Sequence, residues 1–454
     1  MKKLMAMLLA MLLMLGSVVA AEEKDEPLGL PLQDCHKVTS TKKDTKQKNA
    51  SVIRLWTLDT CNDEIDAELA AITAEYVDRL GPTLKKAGNA TSKNSRLEVE
   101  VRYSRTGLNW MSFLCQARTT YHRDLIGQEI TSRTYDMTTG ERIYLADIIA
   151  DEEGWAMLCT AVDETVRFYF PEAEPDEAAL AALLTDEGLR NLDFTLHGLS
   201  LVIHIPTSSM YPELGMHTLI EVPLYYPDLR PHMTEKAQVE TDNLTYYKTV
   251  ALTFDDGPDR TNTTVLLNNL LEMGERATFF VLGNRIKDYA DLVQREHDEG
   301  HAVASHNYSH GDVSEMSGTA IRSQKTKFDA ACTPVIGITA RYARVPYGLY
   351  NQMIDNKAGV ALIQWSIDTY DWKGRSTTAI MNNTKKQFTD GDIVLMHDIK
   401  DNTPTTAKTM IKWLKENGYM ILTIDELFRK DGVVLEENVV YFRCDDGVTS
   451  IKQR

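Results

Sequence analysis

The stretch Thr253-Phe254-Asp255-Asp256-Gly257-Pro258 closes a hydrophobic strand with two adjacent carboxylates at a forced turn. Residues 250–254 alternate between large apolar and smaller or polar side chains, which predicts a strand that feeds a sheet. Gly257 and Pro258 end that strand, so both acids stand where the backbone leaves the sheet. Because neighbouring side chains on a strand point to opposite faces, one carboxylate can bind a metal while the other handles a proton. An isolated Asp-Asp-Gly is an ordinary turn, so its interpretation depends on the polar residues further along the chain.

Four further polar clusters lie C-terminal to this turn. The segment Ser305-His306-Asn307-Tyr308-Ser309-His310 carries two histidines four residues apart, a spacing that on one helical turn lets both bind a single ion. Together with a turn carboxylate they predict an Asp-His-His metal site that leaves coordination positions for water and substrate. The other clusters are Arg344-Val345-Pro346-Tyr347-Gly348, Asp368-Thr369-Tyr370-Asp371-Trp372 and Ile393-Val394-Leu395-Met396-His397-Asp398. Five polar clusters at five expected strand ends are hard to explain by packing alone.

These clusters resemble, in order, the five motifs of the polysaccharide deacetylase family, the NodB-homology domain of carbohydrate esterase family four. The resemblance covers roughly Lys248 to Lys430. It implies that Asp255 is the general base, and that one divalent metal ion is held by Asp256, His306 and His310.

The resemblance also implies roles for the residues of the later motifs. Arg344 orients the base, the backbone N–H of Tyr347 helps to bind the oxyanion, and His397 is the general acid. Asp371 supports either the arginine or the acid histidine. The substrate is expected to contact Tyr347, Trp372 and Leu395.

The chemistry expected of this set is hydrolysis of an acetamide, which releases acetate and a glucosamine-type or muramic-type sugar and needs no nucleophilic Ser or Cys. Aspartate and histidine are borderline ligands, so zinc is the best match for the metal, with cobalt, manganese or nickel as alternatives. Two residues depart from the family pattern: Asn307 replaces the usual Ser or Thr after the first metal histidine, and Ser305 replaces a more usual Asn. Since Asn can hydrogen-bond locally, we expect an adjusted loop and a retained metal.

Between the motifs, helical and strand patterns alternate from Val265 to Ile424, which predicts βαβ units around a parallel sheet. Active residues at the carboxyl ends of successive strands fit a barrel. The resemblance implies an α/β fold with a distorted (β/α)7-type barrel, which has fewer strands than the full eight. The catalytic domain is therefore expected at residues 248–430.

Residues 51–230 are expected to form a separate module, in which strands, then two helices, then strands indicate an α+β domain. This module resembles the DUF3298 (RsiV-type) domain through Thr139-Gly140 with Leu145-Ala146-Asp147-Ile148, and through the hairpin from Phe194 to Leu224. Relatives suggest contact with the cell wall or with a lysozyme-like protein, and a role as scaffold or spacer is equally open. Three histidines on or beside its strands are expected to face solvent: His197, His204 and His217.

The first twenty residues predict a secretory signal peptide, because two lysines precede a short apolar run that ends in small residues. The protein is therefore expected to be secreted and extracytoplasmic, with an N-terminal membrane anchor as the alternative. Residues 21–50 and 231–247 are expected to be linkers. Residues 431–454 are expected to be a C-terminal extension, in which Val433 to Leu435 and Val439 to Phe442 are expected to add a hairpin outside the barrel.

The six cysteines show no Cys-x-x-Cys spacing, and in an exported protein they suggest disulfides within domains, with free buried thiols as the alternative. One pair considered is Cys332 with Cys444. The formal net charge of −17 argues against nucleic acid as a partner and against the binding of anionic polymers by bulk charge. A neutral amino-sugar polymer or the glycan of a cell wall suits this charge better.

The sequence thus predicts a secreted, metal-dependent N-deacetylase that acts on peptidoglycan amino sugars. The alternatives within the enzyme class are a chitooligosaccharide deacetylase or a xylan O-acetyl deacetylase, since the same machinery attacks esters. An alternative of another class is a non-catalytic protein that senses or binds the wall or lysozyme.

Overall fold

The computed structural model of the protein describes residues 38–46, 51–85, 95–106, 108–349, 357–445 and 448–449. The predicted signal peptide at residues 1–20 lies outside the described residues, as does Cys35. Within the described ranges, no helix has both the length and the apolar character that a membrane span requires.

Twenty β-strands are defined among the described residues. In chain order they are β1 Thr39–Lys46, β2 Val52–Asp59, β3 Ser95–Arg105, β4 Trp110–Tyr121, β5 Asp124–Asp136, β6 Arg142–Ile143, β7 Phe194–Leu196, β8 Ser200–Pro206, β9 Leu219–Tyr225, β10 Lys248–Asp255, β11 Thr278–Val281, β12 Ala302–Ser305, β13 Tyr342–Ala343, β14 Ala361–Ile363, β15 Ile367–Asp368, β16 Asp392–His397, β17 Tyr419–Leu422, β18 Val440–Tyr441, β19 Cys444–Asp445 and β20 Val448–Thr449.

Fifteen α-helices are defined in the same ranges. They are α1 Asp63–Leu80, α2 Leu145–Ile148, α3 Glu152–Phe168, α4 Glu177–Leu183, α5 Asp186–Arg190, α6 Thr207–Met210, α7 Tyr226–Leu229, α8 Glu235–Glu240, α9 Asn262–Met273, α10 Gly283–Ile286, α11 Ala290–Asp298, α12 Gly318–Ile336, α13 Thr377–Thr384, α14 Thr403–Glu416 and α15 Ile424–Arg429.

The second half of the chain forms a curled, all-parallel sheet with strand order β15-β16-β10-β11-β12-β13-β14-β18, and β17 pairs with the start of β10. Strand β10 alternates as predicted. Its residues Val250, Leu252 and Phe254 enter a core shared with helices α9 and α14. The other face of the sheet points to the inside of the curl, where Ala251 packs with Phe280. The parallel α/β fold predicted from the sequence is therefore confirmed.

The first half of the chain contains a six-stranded sheet with the order β1 to β6 and a separate antiparallel sheet of β7, β8 and β9. One face of the larger sheet is apolar and packs on helix α1 through residues such as Leu97, Val99 and Phe113. The other face is rich in charged side chains. Helix α3 packs with the three-stranded sheet in a second core. The architecture is α+β, as expected.

Two segments expected to be linkers contain regular structure. Residues 39–46 form β1, which pairs antiparallel with β2, although their charged composition suggested an unstructured stretch. Within residues 231–247, helix α8 begins after Thr234, whose hydroxyl caps the backbone N–H of Ala237. The pairing of β1 with β2 and the Thr234 cap stabilise these two elements. Neither contact can be recognised from the hydrophobic periodicity of the sequence.

The hairpin expected from residues 433–435 and 439–442 does not form, although β19 and β20 pair antiparallel further along the extension. Residues 433–436 are irregular, whereas β18 pairs in parallel with β14 inside the main sheet. Tyr441 is buried there against Phe428, with ring centroids 5.1 Å apart. The prediction was wrong because a parallel partner distant in the chain leaves no local turn signal.

A disulfide between Cys332 and Cys444 is also excluded, since both are buried free thiols. Cys332 faces the core beneath helix α12, while Cys444 packs in the core on the other face of the sheet. Burial raises the pKa of the Cys444 thiol to about 12, so it remains a neutral side chain. Cys115 is likewise buried and free.

The three histidines expected to face solvent lie instead in the contact between the two halves. His204 is buried, and its Nε2 lies 2.7 Å from the hydroxyl of Thr195. His197 and His217 are half-buried, and burial lowers the pKa of both. Strand alternation could not reveal that the outer face of a sheet is covered by another domain.

Candidate active site

The polar clusters predicted from the sequence meet at the carboxyl ends of the parallel strands. Asp255 ends β10 and lies opposite His397, the last residue of β16. His306 follows directly after β12, and Arg344 follows directly after β13. Because the strands are parallel, their carboxyl ends share one edge of the sheet, and side chains that are distant in the sequence converge there.

The predicted metal ligands form one cluster. The Oδ1 atom of Asp256 lies 3.4 Å from Nε2 of His306 and 3.1 Å from Nε2 of His310. One ligand atom from each residue falls within 4.8 Å of the others. Among the described residues, no other cluster of at least three His, Cys, Asp or Glu side chains meets this criterion.

The histidines reach this position from a loop, not from the helical turn expected from their spacing. Residues 306–312 follow β12 without helical structure, and Asn307 has a left-handed backbone with φ 64°. Asn is among the few non-glycine residues that adopt this conformation readily, which accounts for its presence where the family has Ser or Thr. Gln324 of helix α12 fixes the loop, because its Oε1 accepts hydrogen bonds from the N–H groups of Tyr308 and Ser309.

The donor set suits a divalent cation. Nδ1 of His306 lies 2.8 Å from the carbonyl oxygen of Arg344, which assigns the ring proton to Nδ1 and leaves the Nε2 lone pair facing Asp256. Oδ1 of Asp256 is buried and accepts no hydrogen bond. Burial favours the neutral carboxyl, but when His306 and His310 are protonated their hydrogen bonds and charge outweigh it and hold the pKa of Asp256 well below its usual range. One carboxylate oxygen and two imidazole nitrogens thus converge, which is a donor set that a divalent metal accepts.

The predicted base is held by the predicted arginine. Nη1 of Arg344 donates to Oδ1 of Asp255 at 2.8 Å and to the hydroxyl of Thr253 at 2.7 Å. Its other nitrogens donate to the carbonyl oxygens of Ile363 and Gln364. Arg344 is fully buried, and these contacts leave it a single orientation. The carboxylate of Asp255 is thereby fixed, with Oδ2 4.0 Å from Nε2 of His306.

Asp371 supports the histidine and not the arginine, which decides between the two alternatives left by the sequence. Its Oδ1 lies 2.8 Å from Nδ1 of His397, while its Oδ2 accepts from the His397 N–H and from the Thr403 hydroxyl. Burial lowers the pKa of His397, but the hydrogen bond and charge of Asp371 outweigh it, so the pKa is raised above its usual value. The imidazole is therefore suited to hold a proton near neutral pH.

The residues expected at the substrate differ in exposure. The ring of Tyr347 is 63% exposed and that of Trp372 is 47% exposed, so both stand at the rim. The Tyr347 ring lies edge-on to His310, with ring centroids 4.5 Å apart. Leu395 is buried on β16 two residues before His397, and the strand register places it beside Thr253.

Three further residues support the site, although the sequence did not assign them a role in it. Phe280 and Trp365 lie against the guanidinium of Arg344, with its Cζ 4.0 Å and 5.7 Å from their ring centroids. Asp398 is fully buried beneath the Gly257 turn and accepts a hydrogen bond from Thr263, and burial raises its pKa to about 7. Only the spatial arrangement shows that these side chains shape the site.

Comparison with known proteins agrees with this geometry. Residues 243–362 match the family model described as polysaccharide deacetylase. Peptidoglycan-N-acetylglucosamine deacetylase PgdA of Listeria monocytogenes is 40% identical over 199 residues, which are 44% of this chain and 42% of PgdA. This chain thus spans less than half the length of PgdA.

Two further proteins are similar to this chain. The solved structure of peptidoglycan deacetylase PdaC from Bacillus subtilis has 32% sequence identity and a TM-score of 0.39, and it covers 40% of this chain and 91% of that chain. A peptidoglycan-N-acetylglucosamine deacetylase of Bacillus cereus is 33% identical over 187 residues, which are 40% of this chain and 68% of that protein. The family model, the extent of the Bacillus cereus match and the five clusters at one sheet edge all point to one family. The chain belongs to the polysaccharide deacetylase family.

Proposed function

We propose that this protein is a metal-dependent hydrolase that removes acetyl groups from the amino sugars of peptidoglycan. The observation that carries the proposal is the meeting of three elements at one sheet edge. These are the Asp256, His306 and His310 cluster, the Asp255–Arg344 pair and the Asp371–His397 pair. A ligand set, a fixed carboxylate and a charged imidazole are the groups that amide hydrolysis by water needs.

The cation side of the site would be formed by Asp256, His306 and His310. A divalent ion bound there lowers the pKa of a coordinated water from ~16 toward ~7 and polarises the acetyl carbonyl. Zinc fits the two imidazoles and one carboxylate best, and cobalt, manganese and nickel are the alternatives. The backbone N–H of Tyr347 is the proposed donor to the developing oxyanion, where loss of one donor typically costs ~3 kcal/mol.

Proton transfer would be divided between two fixed side chains. Asp255 takes a proton from the attacking water, and its oxygen is held for this by Nη1 of Arg344 at 2.8 Å. His397 gives a proton to the sugar nitrogen as the C–N bond breaks, which yields acetate and a free amine. Asp371 keeps that imidazole charged until the transfer. Tyr347, Trp372 and Leu395 would line the substrate.

Paired variants test these roles. Asp255→Asn is expected to keep the metal but to lose ~10²–10⁴-fold in activity, because a general base contributes about that much. His310→Ala is expected to lose both metal and activity. Asp288→Asn, an exposed carboxylate outside the cluster, is the matched control and should retain both. Metal analysis by mass spectrometry and an acetate-release assay give the two readouts, and full activity in Asp255→Asn would contradict the assignment.

The acetylated polymer is tested separately. Purified peptidoglycan, chitin oligomers and acetylxylan would be compared as substrates for the metal-loaded protein. The proposal expects acetate mainly from peptidoglycan, in line with the names of the relatives. If the protein prefers chitin oligomers or acetylxylan, the substrate assignment changes, and the proposed hydrolysis of acetyl groups stays the same.

Export to the cell surface is the proposed setting. The expected signal peptide would direct the chain out of the cytoplasm, and the proposed substrate, peptidoglycan, lies there. Whether the signal peptide is cleaved can be read from the N-terminal sequence of the mature protein. The likeness of the first module to the DUF3298 (RsiV-type) domain and its contact with the wall or a lysozyme-like protein stay predictions. If the metal-loaded protein released no acetate from any glycan yet bound lysozyme or wall, the sensor alternative would replace the enzyme.

A further inference from the structure

A second cavity lies away from the candidate active site, between the two halves of the chain. Its volume is about 460 Å³, within the ~300–1,000 Å³ typical of ligand pockets. One wall is the polar face of the six-stranded sheet, where Arg96 and Glu98 of β3 stand beside Arg118 and Thr120 of β4. The other wall is helix α11 with the segment that follows the Asp255–Asp256 turn. We name this cavity the interdomain groove.

The interdomain groove is rich in arginine. Six arginines line it against three carboxylates, although the whole chain has a net charge of −17. The arginines are Arg54, Arg96, Arg118, Arg123, Arg260 and Arg295. Three further carboxylates, those of Asp44, Glu100 and Glu299, bond to Arg54, Arg118 and Arg295, so the groove arginines without an acid partner among the described residues are Arg96 and Arg123. Unpaired cations in a concave surface attract anions.

Four of these arginines are held in place by acids, and their donors are not all used. Arg118 is buried and donates through Nη2 to Glu100 and Glu299, while its Nη1 is buried without a hydrogen-bond partner. Arg260 pairs through both terminal nitrogens with Asp291, while its Nε is buried without a partner. A guanidinium has five N–H donors, so an arginine fixed by an acid still has donors for a ligand. Buried unpaired donors call for an explanation.

The exposed end of the groove carries two further arginines. Arg96 and Arg123 are exposed, and neither makes an ion pair with another residue of the described ranges. On the opposite wall, Oδ2 of Asp298 is buried and accepts no hydrogen bond. The groove therefore combines free cations, unused buried N–H donors from both walls and one unused acceptor.

We propose that the interdomain groove binds a phosphate group carried on a polyol or sugar, such as one unit of a phosphodiester-linked polymer. Guanidinium forks match the oxygens of phosphate, and donors arriving from two walls suit a tetrahedral anion better than a planar carboxylate. The free Asp298 oxygen provides an acceptor for a neighbouring hydroxyl. The cavity is larger than a single phosphate ion, so a segment of a phosphodiester-linked polymer fills it better than the free ion does. This site would hold the protein on an anionic polymer while the deacetylase site works on a neutral glycan.

Binding can be measured on the full chain by isothermal titration calorimetry. The probes are inorganic phosphate, a poly(glycerol phosphate) oligomer and a neutral N-acetylglucosamine oligomer. The oligomer of glycerol phosphate is expected to bind, with affinity that falls as salt rises. The double variant Arg96→Ala/Arg123→Ala alters only exposed side chains, and we expect it to bind at least about tenfold more weakly. Acetate release from a short soluble glycan should be unchanged in it, so failure here is distinguishable from failure of the proposed hydrolase.

Two controls sharpen the test. Arg142→Ala removes an exposed arginine on β6, an edge strand of the same sheet that does not line the groove, and should leave binding unchanged. Arg118→Lys keeps the charge but removes the fork, and it should weaken binding. Binding of inorganic phosphate that depends on Arg96 and Arg123 would assign the site to the free ion as well as to the polymer. The proposal is overturned if no phosphate probe binds, or if the double variant and Arg142→Ala bind as tightly as the wild type.

Discussion

Single residues in unusual backbone conformations shape the candidate site. Asp256, Asn307 and Tyr347 all have positive φ, at 76°, 64° and 60°. Such conformations are uncommon outside glycine and persist where the surrounding structure holds them. Each lies within four residues of the end of a parallel strand. The site therefore depends on local backbone geometry as much as on residue type.

The pairing of Asp371 with His397 predicts a pH effect. In Asp371→Asn the neutral amide no longer raises the pKa of His397, so the imidazole loses its proton at lower pH. Because a general acid must be protonated, the alkaline limb of kcat/KM should move to lower pH. The loss in kcat should approach the ~10²–10⁴-fold that a general acid supplies. A pH–rate profile on a soluble acetylated glycan measures both.

Asp401→Asn is the control for that profile. Asp401 is an exposed carboxylate in the loop after β16, and it contacts the side chain of Asn262. Asp401→Asn should leave the alkaline limb of kcat/KM at the same pH as in the wild type. An Asp371→Asn profile identical to the wild type would remove His397 from the role of general acid.

At the scale of elements, the strand at one edge of the parallel sheet comes from outside the region covered by the family resemblance. Strand β18 hydrogen-bonds with β14, and Cys444 and Tyr441 pack in the core that also contains Phe428. An uncovered edge of β14 would expose unpaired backbone groups. We infer that the C-terminal extension is a structural part of the catalytic half.

Removing the Tyr441 ring tests this inference. The ring is 3% exposed, and its hydroxyl accepts a hydrogen bond from the N–H of Glu436. Tyr441→Ala should lower the free energy of unfolding by ~3–5 kcal/mol, as for other buried aromatic rings replaced by alanine. Urea denaturation gives the value. Val434→Ala, at a side chain that is 65% exposed, should change it by less than ~0.5 kcal/mol, and equal effects of the two variants would refute the role of the strand.

At the scale of the whole molecule, the two halves meet through buried polar contacts and tight aromatic contacts, among them those of Tyr169 and Phe170 with Gly337. Arg118 bridges to Glu299 at 3.2 Å, and Asp298 accepts from the hydroxyl of Thr218. The N–H of Phe170 donates to the carbonyl of Gly337 at 2.7 Å. Because these groups are buried and paired across the contact, separating the halves would leave them without partners.

Gly337→Ala is expected to disturb this docking. Gly337 has φ +83°, and an added Cβ would lie 2.7 Å from Tyr169 and 2.8 Å from Phe170. The positive φ costs ~1–2 kcal/mol for alanine, and overpacking adds ~1–3 kcal/mol. Calorimetry should show a lower Tm, and limited proteolysis should show faster cleavage between the halves.

Gly432→Ala provides a matched control. Gly432 has φ +67°, but no atom lies within 4 Å of an added Cβ, so only the backbone penalty remains. The difference between the two variants isolates the contact of Gly337 with the aromatic pair. Equal shifts in Tm would mean that the halves are not held together there.

The sequence by itself determined the chemistry available to this protein. The Asp-Asp-Gly-Pro turn, the two histidines and the later clusters stand at local strand and turn signals, which predicted the parallel sheet. The resemblance of these clusters to the family motifs predicted which residues belong to the site. These features are readable because strand periodicity and turn residues act over a few positions.

Only the tertiary structure decided which of these groups act on one another. In the folded protein Asp371 pairs with His397, and Asp255 pairs with Arg344. The two metal-site histidines lie on a loop. His204 is covered by the other half of the chain, and β18 joins the parallel sheet. Each of these depends on which distant segments become neighbours. Periodicity along the chain states which face of an element is apolar, but it does not state what will cover that face.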